Sequence, residues 1–140
     1  MSRLTTGIED LAAALRAHAT GLYCAEAAVE LVIGHRRWLH REDFVAEFIE
    51  LGQGSVCGTS MAFVDWQAVV AALDAGRLPC SGSEGQVLRI AASLAEGIPV
   101  DLGEAVTGLD ETNIGLVAVA VLAAGGHRGA GIAFGGVAGR

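Results

Sequence analysis

The stretch Asp110-Glu111-Thr112-Asn113-Ile114-Gly115-Leu116-Val117-Ala118-Val119-Ala120-Val121-Leu122-Ala123-Ala124-Gly125-Gly126 decides the fold. Val117, Val119 and Val121 are β-branched and alternate, which is the pattern of a buried strand. Against that stand the length of the run, the Asp110 N-cap and the closing Ala-Ala-Gly-Gly. A lone strand would leave its backbone polar groups without partners, and no second convincing strand is visible elsewhere. A buried helix from Glu111 to Ala124 is therefore expected, with a strand as the weaker alternative. Ile114, Leu116, Val117, Val119, Val121 and Leu122 cannot all face one side of a helix. They must be enclosed by other helices or by a subunit interface.

Helical signals continue upstream. From Ile8 to Ile33 the apolar residues Ile8, Leu11, Leu15, Leu22, Val29 and Ile33 recur at three- and four-residue steps and form one stripe. A long first helix is expected there, with Gly21 as a bend or a close contact. Past Gly21, Cys24, Ala28 and Leu31 make a second apolar line, so its second half should be covered on two faces. Glu42 to Glu50 gives a short amphipathic helix with acids in its first turn, stopped by Gly52. Residues 52–59 read as a Gly-rich loop, and Met61 to Val64 as an extended stretch or a helical lead-in. Asp65 caps a helix carrying Trp66, Val69, Val70 and Leu73. Ser83 with Gln86, or in competition Ser81 with Glu84, boxes the start of a helix that carries Val87, Leu88, Ala91 and Leu94 and ends at Gly97. Asp101 with Glu104 opens a short helix before the Gly108 turn.

The expected fold is all-α: a compact orthogonal bundle of five to six short helices around a long N-terminal helix. Residues 1–126 would be a single domain. Residues 127–140, with five Gly in fourteen positions, would be a flexible C-terminal tail.

The composition excludes several chemistries. The chain has 140 residues and 52% hydrophobic residues, so wholesale disorder is ruled out. Nine Arg and no Lys face sixteen acids, a formal charge of −7, which makes nucleic acid and anionic lipid poor default partners. Three Cys are an odd count without a C-x-x-C pair, which fits a reducing compartment. The N-terminus lacks a basic-then-apolar signal layout. The longest apolar run, Ile114 to Ala124, is far short of the ~20 residues that span a bilayer. A cytoplasmic protein is expected.

Candidate chemistry is sparse. His35-Arg36-Arg37-Trp38-Leu39-His40-Arg41 concentrates cations next to an indole. Arg36, Arg37, Trp38, His40 and Arg41 are the candidate binding residues, since Arg and Trp together can grip a phosphate or a base. The competing explanation is structural. The cluster ends a helix, where cations suit the dipole, and Glu42, Asp43, Glu47 and Glu50 lie close in sequence. Trp38 and Leu39 would then plug the core. His18 and Glu26, eight residues apart on the first stripe, are too distant to share one ion. Each could still meet a partner from another helix as acid, base or ligand, though packing is the plainer role. Cys57 sits in a Gly-rich loop, yet without the strand–turn–helix context of a nucleophile elbow. The Cys and His spacings form no zinc pattern, and Gly52-x-Gly54 precedes no dinucleotide-binding unit. Residues 101–122 have the outline of a helix-turn-helix. Their leading face offers Asp110, Glu111, Thr112 and Asn113, a poor reader of DNA. No catalytic residue, metal or cofactor is expected.

Residues 73–82 (Leu-Asp-Ala-Gly-Arg-Leu-Pro-Cys-Ser-Gly), 88–101 and 108–124, with Gly21-Leu22-Tyr23-Cys24 and Asp65-Trp66, carry a resemblance. In them the chain resembles small uncharacterised helical proteins of actinobacteria over most of residues 8–126. The tail from Gly129 departs from that pattern. The resemblance implies a cytoplasmic accessory protein and carries over no activity and no functional residue.

The expected function is thus a non-catalytic accessory or protein-interaction module, with a protein partner or a homo-oligomer. One alternative is a nucleic-acid-associated regulator using residues 35–41 or the helix pair 101–122. The other is a small enzyme.

Overall fold

A computed structural model describes residues 2–56 and 59–127. The expected flexible tail, from residue 128 onward, and the candidate Cys57 lie outside these residues. The chain runs α1 (Ser2–Ala19), α2 (Tyr23–His35), a 3₁₀ turn (Trp38–His40), α3 (Glu42–Phe48), β1 (Ile49–Val56), β2 (Thr59–Val64), α4 (Trp66–Asp74), α5 (Gly82–Glu96), α6 (Leu102–Thr107) and α7 (Glu111–Ala124). The molecule is mostly helical, with one small sheet.

The expected long N-terminal helix is two helices. Gly21 takes φ 101°, which a side chain would oppose, and Leu22 is extended. The Glu26 carboxylate, one turn into α2, accepts the Gly21 N–H at 2.9 Å and closes the corner. The apolar stripe persists across this break because each helix needs a buried face, not because the backbone is continuous.

The all-α expectation also fails at residues 49–64. β1 and β2 form an antiparallel hairpin with Ile49 opposite Val64, Leu51 opposite Ala62 and Val56 opposite Thr59, and with an irregularity between Leu51 and Ser55. A Cβ on Gly52 would stand 3.3 Å from the Met61 carbonyl oxygen, so this glycine serves close strand approach rather than a loop. Ala62 and Val64 are buried whereas Met61 and Phe63 are half-buried, the period-2 signature of a strand on a helix. That helix is α1, which packs on β2. The Asp65 N–H donates to the Phe48 carbonyl at 2.8 Å and ties the hairpin base to α3.

The remaining helices start where their caps predict. Asp65, Asp101 and Asp110 accept from the N–H groups of Ala68, Glu104 and Asn113 at 3.1, 3.1 and 2.8 Å. For α5 the capping box is Ser81 with Glu84, not Ser83 with Gln86. Ser83 instead accepts from the Asp110 N–H at 3.1 Å and the Asn113 amide at 2.7 Å, joining α5 to α7. Residues 111–124 are helix, and the strand alternative falls. The core gathers Leu15, Ala28, Leu31, Trp38, Phe44, Phe48, Val69, Val87 and Leu88, with α2 packed against both α5 and α7.

Candidate functional site

The basic turn is folded inward. Arg36 ends α2 in the left-handed conformation, φ 73°, and donates its N–H to the Val32 carbonyl. That reversal drives Trp38 into the core, where it is 1% exposed. Its Nε1 donates to the Glu84 carbonyl at 3.2 Å, and its ring centroid lies 5.1 Å from that of Phe44. Arg41 covers the indole at 4.8 Å from the centroid, donates twice to Asp43 at 3.0 and 2.6 Å, and reaches the Pro79 carbonyl at 2.6 Å. The hydrogen bond from Arg41 holds the Asp43 carboxyl below its ordinary value, and the same contact raises Arg41. Arg37 meets the Glu84 carboxylate at 3.3 Å. Of the five candidate residues, Arg36, Arg37 and His40 stay exposed, and Trp38 is not among the exposed ones.

Behind this turn, His35, Ser83 and Asp110 come into one neighbourhood. Burial lowers the His35 pKa, with opposing contributions from Glu84 and Asp110 that raise it and a further lowering by Arg37. Its buried Nδ1 has no hydrogen-bond partner. Ser83 Oγ is engaged with Asp110 and Asn113, so this Ser, His and Asp are not linked as a nucleophile and base through Nδ1. Asn113, the one side chain of the helix pair suited to reading adenine, is 5% exposed and tied to Ser83.

The other candidates each make a contact within the fold. His18 lies against Phe63 with ring centroids 5.2 Å apart, and Glu26 closes the α1–α2 corner. Burial, followed by Glu84, pushes the exposed Cys80 thiol up, away from a thiolate. Among the described residues, no three His, Cys, Asp or Glu gather as a metal site, and no helix is long and apolar enough to cross a membrane.

The feature that stands out is α7. From Ile114 to Ala124 it carries no polar side chain. Its inner stripe, Asn113, Val117 and Ala120, is buried. Its outer side is not: Ile114 is 39%, Val121 52% and Val119 56% exposed. Helical spacing places Ile114, Gly115, Ala118, Val121 and Leu122 on one face. Beside that face, Val119 and Leu122 line a groove of about 500 Å³, closed on the other side by Arg16, Glu26 and Glu30 of α1 and α2. Arg16 and Glu30 form a two-point ion pair there at 2.7 and 3.1 Å. At the far end Tyr23, 55% exposed, lies against Gly126, where an added Cβ would be 3.3 Å from its ring. The sequence signalled this surface through the missing polar positions in residues 114–124. It did not say which side α2 and α5 leave open.

No family model, curated protein or solved structure matches the chain.

Proposed function

We propose that this chain is a non-catalytic protein-interaction module of the cytoplasm, and that the outer face of α7 is its contact surface. The observation that carries this is the exposure of Ile114, Val119 and Val121 on a helix with no polar side chain over residues 114–124. A helix that is apolar all round belongs in an interior, and an exposed apolar patch of this kind marks an interface. Supporting it, two of the groups that favoured nucleic acid, Trp38 and Asn113, are buried, and Arg41 is bonded to Asp43 and Pro79, which leaves Arg36, Arg37 and His40 as the exposed cationic candidates of that turn.

The test is photocrosslinking with a photoreactive residue in place of Val121, compared with one in place of Gln67, which is exposed on α4. Position 121 should give discrete protein adducts, with a second copy of the chain or with another protein, and position 67 should give none. Equal labelling at both positions, or none at 121, would overturn the proposal.

A further inference from the structure

Resting on that interaction surface, we infer that its partner is a second copy of this chain, joined α7 to α7 in antiparallel fashion about a twofold axis at Ala118. Three features of the helix carry this. The first is charge. The chain carries −7, so two copies repel over most of their surfaces, and the outer face of α7 is a place where they can meet without apposing acids.

The second is polarity along the helix. Asp110 and Glu111 stand at its start, and residues 123–127 at its end hold no acid. An antiparallel copy keeps the acidic start of one helix away from that of the other, and opposes their dipoles favourably. A parallel copy would set like against like.

The third is shape. A twofold axis at Ala118 pairs Ile114 with Leu122 of the second copy, and Gly115 with its Val121. Gly115 is an open notch, since a Cβ there would meet nothing within 4 Å. Val121, 52% exposed, is the projecting side chain that such a notch accepts. Isologous contacts of this kind close on themselves and do not propagate. One 14-residue helix with Tyr23 at its end supplies less than the ~800 Å² per partner of a standard interface, so the association should be weak, about micromolar.

Sedimentation equilibrium of the full purified chain tests this. The expected result is a monomer–dimer equilibrium that Val121→Glu and Gly115→Leu each weaken by about tenfold or more, because they bury a charge or fill the notch. Gln67→Glu should leave it unchanged. Should either main variant fail to fold, Ala118→Cys in a background with the three native cysteines changed to Ser gives an independent measurement. A twofold axis there puts the two Cα atoms within the ~4.4–6.8 Å of a disulfide, so mild oxidation should yield covalent dimer, and Gln67→Cys should not.

A chain monomeric at every concentration, or a dimer indifferent to both substitutions, would overturn the inference. A monomer whose position 121 crosslinks to a different protein would overturn it too, while leaving the interaction surface standing. A monomer whose α7 face binds an apolar dye only after deletion of 128–140 would assign the face to that segment instead. A monomer that binds neutral lipid vesicles through Val121 would assign it to a membrane surface.

Discussion

The turn at residues 35–41 and helix α7 are the two compositional extremes of the chain, one the most basic segment and the other the most apolar. Their positions are the reverse of what those compositions suggest. The basic turn hides its indole and spends Arg41 on Asp43, the Pro79 carbonyl and the face of Trp38, whereas the apolar helix shows one side to solvent. A charged side chain near the core is stable when donors and acceptors surround it, and seven residues suffice for that. An apolar side chain is covered only if another element reaches it, and α2 and α5 reach only one side of α7.

The largest expected effect tests the buried side of this contrast. Trp38→Ala should lower unfolding free energy by about 3–5 kcal/mol in denaturant titration, since it empties a large core site and strips the Glu84 carbonyl of its donor. Arg36→Ala with Arg37→Ala should cost no more than about 1 kcal/mol. Near-equal costs would mean that the indole does not anchor the turn.

Next comes the inner face of α7. Asn113→Ala should cost about 1–3 kcal/mol, because Ser83 loses its closest donor in a buried network. Val121→Ser, on the outer face of the same helix, should cost less than about 0.5 kcal/mol when measured on dilute, monomeric protein. Similar losses at 113 and 121 would erase the distinction between the two faces.

A pH series sharpens the contrast further. His35 has its folded pKa lowered from 6.5, chiefly by burial, so the unfolded chain binds the proton more readily. Stability is then fully present above the ordinary histidine value and declines as pH falls through it toward the lowered one. His35→Gln should flatten that acid-side slope without altering stability at about pH 8. An unchanged slope would show that the imidazole is hydrated in the folded state.

The smallest effect belongs to the groove rim beside α7. Glu30→Ala breaks the exposed pair with Arg16 and should cost about 0.2–1 kcal/mol, falling further as salt is raised.

How much of this was legible depends on how local each signal is. The caps at Asp65, Asp101 and Asp110 act over three residues and can be read directly, and so can the helix they open at 111. Within the hairpin, residues 52–59 look like a loop because of Gly52 and Gly54, whereas 61–64 already allow an extended stretch. The reason for Gly52 is the Met61 carbonyl opposite it, a contact across the turn that no window along the chain displays. The corner at Gly21 was visible as an interruption, but its sharpness comes from Glu26 reaching back from the next helix. Charge points to residues 35–41 as the candidate site. The apolar run at 114–124 is legible in the sequence, yet which of its residues the fold leaves exposed is set by helices far away in sequence.

The separation between α2 and α7 also sets a schedule for the nascent chain. Cys24 Sγ and the Ala124 carbonyl it approaches are 100 residues apart. Synthesis at roughly 5–20 residues per second leaves that gap open for about 5–20 s. Through that interval α1, α2 and the hairpin have emerged, but the side of α2 that α7 will cover lies bare. Ribosome-bound chains ending before residue 111 should therefore be aggregation-prone and a target for holding chaperones, and release of the last helix is the event that completes the core.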